Sequence, residues 1–289
     1  MKSAQFSPLL VAVSLVALVP VRASDSPAPS AAEIAMAEYA EVMALTPDVE
    51  NGRQIYLTCA VCHGPEGWGM PDGSYPQIAG QLRTVIIKQL ADVRARHRDN
   101  PLMYPFSVPR ILGGPQNIAD VAAYVASLPM TADNGKGPGA DLDLGAKLYQ
   151  EHCQNCHGTE GFGNEKDHLP QIAGQHFHYL MRQFEAIRTG RRKNSDPEMV
   201  RQIQNFGLRE QSAILDYTSR LPPPYQKVAA PGWTNPHFPS FVRQPMTPEM
   251  PLQPPVMPAP PPPPAPPAMG QPPGLPAAAP GGAGKAGDQ

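Results

Sequence analysis

The chain has 289 residues and a formal net charge of −2 at pH 7. This small charge gives no reason to expect nucleic-acid binding. The prolines are unevenly distributed, because 23 of the 39 lie in the last 68 residues. The part of the chain that can form a folded core is therefore shorter than the full length suggests.

The N-terminus has the pattern of a secretory signal peptide. Lys2 supplies a positive charge, residues 9–19 form an apolar run, and residues 21–23 (Val-Arg-Ala) offer a cleavage site. The run is shorter than the roughly 20 apolar residues that span a bilayer. We expect residues 1–23 to be removed on export, which predicts a periplasmic mature chain that does not span the membrane. An uncleaved N-terminal anchor is the alternative.

A long stretch of the sequence occurs twice. The sequence CAVCHGPEGWGMPDGSYPQIAGQ at 59–81 nearly recurs as CQNCHGTEGFGNEKDHLPQIAGQ at 153–175, which is 94 residues later. Further on the offset grows to 96, because NPLM at 100–103 corresponds to DPEM at 196–199. Such self-similarity indicates a duplicated domain.

The repeat divides the chain into two domains, at residues 46–130 and 141–222, with a Gly-rich linker at 131–140. Each domain is predicted to have a helix leading into its first cysteine, a second after Ala-Gly-Gln and a last one before a proline. No alternating β-branched run appears, so the predicted fold class is all-α. Residues 24–45 form an N-terminal extension in which AAEIAMAEYAEVMAL predicts one helix. Residues 223–289 form a Pro-rich tail that we expect to be disordered. Its part at 225–250 contains four aromatic residues, so packing of that part against the domains is the alternative; they are Tyr225, Trp233, Phe238 and Phe241.

The four cysteines occur as two Cys-x-x-Cys-His motifs, one in each repeat. The residues are Cys59, Cys62, His63, Cys153, Cys156 and His157. This motif is the attachment site of a c-type haem, in which both thiols form thioethers with the porphyrin and the histidine binds the iron. A zinc site would need a second cysteine pair roughly 15–20 residues away, and a thioredoxin-like pair would need a βαβ unit. The sequence shows neither, and it therefore predicts two covalently bound haem c groups.

The repeated residues resemble those of dihaem class I c-type cytochromes, of the cytochrome c-four type. The likeness is carried by the CxxCHG and PQIAGQ segments, the NPLM and DPEM sites, and the terminal sequences AAYVASLP and LDYTSRLP, and it covers about residues 46–222. It implies two class I cytochrome c domains in tandem, each with a covalently bound haem. The Pro-rich tail lies outside it.

The resemblance implies a methionine as the second ligand of each iron. Met103 lies 40 residues after His63, and Met199 lies 42 residues after His157, each in an Asn/Asp-Pro-x-Met context. A thioether ligand raises the reduction potential above that of a bis-histidine haem. Packing or surface roles are expected for the remaining candidates, which are Met70, Met130, Met181, His97, His168, His176 and His178.

The same resemblance implies contacts beyond the iron ligands. The carbonyl oxygens of Pro76 and Pro170 would accept the N–H of the two iron-binding imidazoles and fix their orientation. Arg94 and Arg188, which match across the repeat, are candidates for pairing with haem propionates. The alternative for these arginines is a solvated charge on a helix.

One difference between the repeats concerns the helix before the first cysteine. Cys153 lies eight residues after Gly145, whereas Cys59 lies only seven after Gly52. We expect the helix of the first repeat to be shorter or bent, and its glycine contact with the last helix to be disturbed.

The sequence predicts an electron carrier and not an enzyme, because no acid/base pair or nucleophile recurs beside the haem motifs. A periplasmic dihaem cytochrome would carry electrons from a quinol-oxidising complex or a dehydrogenase to a terminal oxidase or reductase. The alternative is the electron-transfer subunit of a larger periplasmic dehydrogenase, with the Pro-rich tail available for docking. A dihaem peroxidase needs one open iron, and the two methionines argue against it.

Overall fold

The computed structural model describes residues 27–238. The predicted signal peptide at 1–23 and most of the Pro-rich tail lie outside this range. Within it, the regular elements are helices, and β-structure is limited to two isolated bridges. None of these helices is long and apolar enough to cross a membrane. The all-α prediction is confirmed.

The first repeat folds around a long helix that crosses the last helix of its domain. Its helices are α1 (Ala31–Met43), α2 (Val49–His63), α3 (Arg83–Arg94), α4 (Tyr104–Ser107), α5 (Pro109–Leu112) and α6 (Pro115–Ser127). Helix α2 packs on α6, and α1 packs on α3 and α6. The predicted N-terminal extension therefore supplies a helix of this domain, which begins at a capping box between Ser30 and Glu33.

The second repeat has the same plan. Its helices are α7 (Leu142–His152), α8 (Gln154–His157), α9 (Phe177–Arg188), α10 (Pro197–Ile203) and α11 (Leu208–Arg220). Helix α11 packs on α7 and α9, as α6 packs on α2 and α3. Each repeat thus encloses its own apolar core.

A glycine lies at the helix crossing in both repeats. A Cβ added to Gly52 would lie 2.1 Å from the carbonyl oxygen of Asp120, and one added to Gly145 would lie 2.1 Å from that of Ala213. No side chain fits in that space, so α2 approaches α6, and α7 approaches α11, only because these positions are glycine. The predicted disturbance of this contact in the first repeat is wrong.

The extra residue of the second repeat is accommodated after the crossing. Helix α2 continues without a break to His63, whereas α7 ends at His152 and the chain bends at Cys153 before α8 begins. The prediction that the first repeat has the shorter or bent helix is therefore wrong. The irregularity therefore lies in the second repeat. In the first repeat, a spacing of seven residues from the glycine to the cysteine lets one helix continue, whereas the spacing of eight in the second repeat requires a break in the helix.

Residues 223–238 cross back from the second domain to the first, and we call them the C-terminal strap. The N–H of Met130 donates to the carbonyl of Lys227 at 2.7 Å. At the end of the strap, Phe238 is 7% exposed and its ring meets that of Tyr56 edge-on, with centroids 6.0 Å apart. These residues pack on the first domain, which is the alternative that their aromatic side chains indicated, and the disorder expected of the tail does not extend to them. The rest of the tail lies outside the described range.

The two PQIAGQ segments face each other between the domains. The side-chain amide of Gln175 donates to the carbonyl of Gln77 at 2.9 Å and its oxygen accepts the N–H of Gln77 at 3.1 Å. Gln81 makes the same pair of bonds with Gln171, at 2.9 and 3.0 Å. The second residue of each segment thus pairs with the last residue of the other, which gives the interface a local two-fold symmetry.

Candidate haem-binding sites

Each Cys-x-x-Cys-His motif places its histidine against a proline carbonyl. Nδ1 of His63 lies 3.0 Å from the carbonyl oxygen of Pro76, and Nδ1 of His157 lies 3.0 Å from that of Pro170. A carbonyl only accepts hydrogen bonds, so Nδ1 carries the hydrogen in both rings. Nε2 is then the nitrogen that remains for an iron.

The environment of the two imidazoles favours their neutral form. His63 is 6% exposed and His157 is 8% exposed. Burial lowers the pKa of both rings, although the hydrogen bond to the proline carbonyl acts in the opposite direction. A neutral imidazole is the form that binds a metal.

A glycine in a left-handed conformation brings each proline carbonyl to its histidine. Gly69 has φ +68° and its N–H donates to the carbonyl of His63 at 2.9 Å. A Cβ at this position would lie 2.5 Å from the carbonyl oxygen of Pro76. Gly163 has φ +70°, and a Cβ there would lie 2.2 Å from the carbonyl oxygen of Leu169. The loop folds this closely only because these positions are glycine.

Both cysteines of the first motif lie on α2 with His63, whereas in the second motif Cys156 lies on α8 with His157 and Cys153 directly precedes α8. In α2, Cys59, Cys62 and His63 stand at positions i, i+3 and i+4, which share one helix face. Burial raises the pKa of Cys59 to about 11 and that of Cys153 to about 12. Between residues 27 and 238, no three His, Cys, Asp or Glu side chains cluster as a metal-ion site. Two thiols beside an imidazole with an available Nε2 fit a haem attached through thioethers.

Both candidate methionine ligands are positioned by the polar residue of their motif. The side-chain oxygen of Asn100 accepts the N–H of Met103 at 3.2 Å. Asp196 caps α10 and accepts the N–H of Met199 at 3.3 Å. The Asn or Asp of the Asn/Asp-Pro-x-Met context therefore fixes the backbone at the methionine. No role was predicted for this Asn and this Asp, although they recur before both methionines in the sequence.

The two matched arginines have different surroundings. Nε of Arg94 donates to the carbonyl of Ser107 at 2.6 Å, and its Nη1 pairs with Glu38 at 2.5 Å. Arg94 thereby connects α1 to the segment that follows Met103. Arg188 pairs with Glu185 at 2.9 Å on its own helix. Pairing of either arginine with a propionate remains a prediction.

The histidines considered as alternative iron ligands bond to protein groups or are exposed. Three have side-chain or backbone partners, in the pairs His97–Asp92, His168–Tyr39 and His176–Trp68. His178 is exposed. Met130 is buried and its sulfur accepts a hydrogen bond from the side chain of Gln171 at 2.8 Å. These contacts support the expected packing and surface roles.

Comparison with known proteins gives a consistent result in both repeats. A model of the cytochrome c family matches residues 49–129 and 142–220. A cytochrome c4 of Stutzerimonas stutzeri is 31% identical over 169 residues, which cover 53% of this chain and 78% of that protein. A thiosulfate dehydrogenase electron acceptor of Stutzerimonas stutzeri (strain A1501) is 29% identical over 199 residues, which cover 62% of this chain and 90% of that protein.

A solved structure shows the same arrangement of two domains. The crystal structure of reduced recombinant cytochrome c4 from Pseudomonas stutzeri matches with a TM-score of 0.54 at 27% identity. The match covers 61% of this chain and 100% of that chain. The chain therefore belongs to the cytochrome c family, as a dihaem electron-transfer cytochrome of the cytochrome c4 type in which each of two domains binds haem c covalently.

Proposed function

We propose that this cytochrome is periplasmic and carries electrons between a respiratory donor and a terminal oxidase or reductase. The donor would be a quinol-oxidising complex or a dehydrogenase. The observation that supports this proposal is the repetition of one geometry in both domains, a buried imidazole whose Nδ1 donates to a proline carbonyl at 3.0 Å. Two equivalent redox sites in one compact unit suit electron transfer better than a reaction at a single site.

In this proposal each haem supplies a one-electron redox centre, and the chain fixes its ligands. Cys59 and Cys62 attach the first haem, and Cys153 and Cys156 attach the second. His63 and Met103 would bind the iron of the first haem, and His157 and Met199 would bind that of the second. If the same two residues bind each iron before and after electron transfer, the structural rearrangement is small, and this favours rapid exchange of electrons.

A second candidate function is supported by one relative. The thiosulfate dehydrogenase electron acceptor named above matches this chain over 90% of its length. The C-terminal strap also carries the chain back to the first domain before the 51 residues at 239–289. We infer from these two features that an electron-transfer subunit of a larger periplasmic dehydrogenase is the alternative to a free carrier.

Reductive titration of the purified full-length chain tests the carrier proposal. We expect each chain to take up two electrons and to release both on reoxidation. Before reduction, the iron of both haems should be low-spin. A high-spin resting haem that turns over hydrogen peroxide would instead support a dihaem peroxidase.

Purification from the native host distinguishes a free carrier from a dehydrogenase subunit. A lone monomer supports the free carrier. A partner that stays bound in a fixed stoichiometry through several columns supports the dehydrogenase subunit.

A further inference from the structure

The first domain contains a helix, α1, that has no counterpart in the second. Helix α1 packs on α3 and α6. Its buried residues have the i, i+4 and i+7 spacing of a single helix face, and they are Ala35, Tyr39 and Val42. In the described chain the second domain begins with α7, the counterpart of α2. The linker at 131–140 does not replace α1, because Asn134 binds the carbonyl of Ser219 at the C-terminal end of α11, at 2.8 Å.

The absence of this helix leaves part of α9 more open than the matching part of α3. On α3, Ile87 is 0% exposed, and Arg94 pairs with Glu38 of α1 at 2.5 Å. The residues 94 positions later are Met181, which is partly exposed, and Arg188. The side chain of Arg94 is 10% exposed, whereas that of Arg188 is 32% exposed. The same arginine is therefore covered in the first domain and accessible in the second.

Residues of α9 and α11 line an open groove of about 470 Å³ in the second domain, and we call it the α9–α11 groove. Its apolar residues are Met181, Ala186 and Leu208, of which Leu208 is 78% exposed. Gln211 also lines the groove and is 2% exposed, and within residues 27–238 its Oε1 has no hydrogen-bond partner. The matching residue of α6 is Ile118, which lies in the core of the first domain. The groove thus combines an accessible apolar surface with a buried acceptor whose hydrogen bond is unmade.

The edge of the α9–α11 groove is positively charged. Arg182, Glu185 and Arg191 line it. Arg182 donates to backbone carbonyls and Arg191 donates to a hydroxyl, and these neutral partners leave both charges in place. Arg188 pairs with Glu185 on the same helix at 2.9 Å. Three arginines therefore lie beside one carboxylate, which favours an acidic ligand.

We propose that the α9–α11 groove binds an acidic amphipathic helix of a partner protein, in the way that the first domain binds α1. Helix α1 has the required chemistry, because it combines one apolar face with three glutamates and contains no lysine or arginine. An amphipathic helix in an apolar groove is a recurrent mode of recognition. A glutamate of the partner at the position of Glu38 would pair with Arg188, as Glu38 pairs with Arg94.

The chain itself does not supply a second helix of this kind. Residues 239–289 contain 18 prolines and only two acidic residues, Glu249 and Asp288. Proline lacks the backbone N–H that a helix needs, so this composition does not favour an acidic helix. Helix α1 of a second copy is already packed in its own first domain. The helix is therefore expected to come from a different protein.

Fluorescence anisotropy with a labelled peptide of residues 27–45, the α1 sequence, tests the proposal on the full-length holoprotein. We expect one saturable site. Leu208→Asp should weaken binding about tenfold, because it removes an apolar contact from the groove. Arg188→Glu should also weaken binding of this peptide. A peptide carrying Glu38→Lys should bind Arg188→Glu more tightly than it binds the wild type, because the two charges are then exchanged.

Val49→Asp and Arg201→Glu are the matched controls. Val49 is the first residue of α2, as Leu208 is of α11. Arg201 pairs with a glutamate three residues earlier on its own helix, as Arg188 does. Neither control should change the affinity for the peptide. Haem absorbance and circular dichroism establish that each variant is folded and loaded.

Four results would overturn the proposal. If the peptide does not bind saturably, or if neither groove substitution weakens its binding, the groove does not take such a helix. If only Arg94→Glu abolishes binding, the peptide exchanges with α1 in the first domain. If an unlabelled peptide of residues 254–267 displaces the α1 peptide, the groove binds the Pro-rich tail. If sedimentation velocity shows a dimer that Leu208→Asp converts to a monomer, the groove binds a second copy of the chain.

Discussion

The setting of the histidine in each Cys-x-x-Cys-His motif depends on single residues that have no chemistry of their own. In the first domain, Gly69 places the carbonyl of Pro76 against His63, and Gly163 has the same place in the second domain. The proline contact could be anticipated from family resemblance. The glycine could not be distinguished by sequence alone, because the motif region contains several glycines and only the folded loop shows which one lies against the carbonyl.

We predict that Gly69→Ala destabilises the first domain and alters its haem. The substitution costs about 1–3 kcal/mol of backbone strain, and its Cβ would also lie 2.5 Å from the oxygen of Pro76. Displacing that oxygen weakens the hydrogen bond to His63, so one midpoint potential should shift. Chemical unfolding and redox titration measure the two effects.

Gly64→Ala is the matched control for this substitution. Gly64 has φ +76°, but a Cβ there meets no atom within 4 Å. It should therefore show the backbone strain without the shift in potential. Equal potentials in wild type and Gly69→Ala would contradict a positioning role for this glycine.

Among the elements of the fold, the helices followed from sequence patterns, whereas only the aromatic residues of the C-terminal strap indicated that it packs on the domains. Apolar spacing and proline stops predicted the helices that became α2, α3 and α6 and their counterparts in the second repeat. The proline-rich composition after residue 222 indicated disorder, whereas the aromatic residues at 225–250 indicated packing against the domains as the alternative. The strap is ordered because its aromatic side chains reach the core of the first domain, and the local sequence does not show which of the two domains they contact.

We predict that Phe238→Ala destabilises the protein by up to about 3 kcal/mol. Phe238 is 7% exposed in the core of the first domain, and the cost is limited by the ability of the strap to detach. Thermal unfolding measures the change. Tyr225→Ala is the control, because Tyr225 lies in the same strap but is 88% exposed. Equal losses of stability in Phe238→Ala and Tyr225→Ala would show that the contact of Phe238 with the core does not hold the strap.

The helix break at Cys153 could also not be located from the sequence. The one-residue difference between the repeats was visible in the sequence, but the repeat in which it distorts the helix depends on where the helix is fixed. The close contact at Gly52 and at Gly145 fixes one end of both helices. The extra residue must then be accommodated between the glycine and the cysteine of the second repeat.

For the whole molecule, His176 ties the linker and the second domain to the first domain. Its Nε2 donates to the carbonyl of Trp68 at 2.8 Å, and its Nδ1 accepts the N–H of Gly135 at 3.0 Å. The ring is 1% exposed, and burial lowers its pKa more than the contact with Trp68 and the charge of Asp72 raise it. Protonation of Nδ1 would break the bond to Gly135.

We predict a loss of stability on the acid side of about pH 6.5, the usual histidine pKa. The unfolded chain binds a proton there while the folded His176 remains neutral, so its contribution is complete above this pH and decreases as the pH falls. His176→Gln should reduce the difference in urea midpoint between pH 7 and pH 5, with the exposed His178→Gln as control. If His176→Gln leaves the difference in urea midpoint between pH 7 and pH 5 unchanged, His176 is not the group that lowers stability in acid.

We propose that each domain holds its haem between one histidine and one methionine. Redox titration with optical detection tests it on the wild type, Met103→Ala and Met199→Ala. The wild type should show a charge-transfer band from methionine sulfur to ferric iron at both haems, and each variant should lose low-spin character and potential at one haem only. If either substitution leaves both haems low-spin with unchanged potentials, that methionine does not bind the iron of its domain.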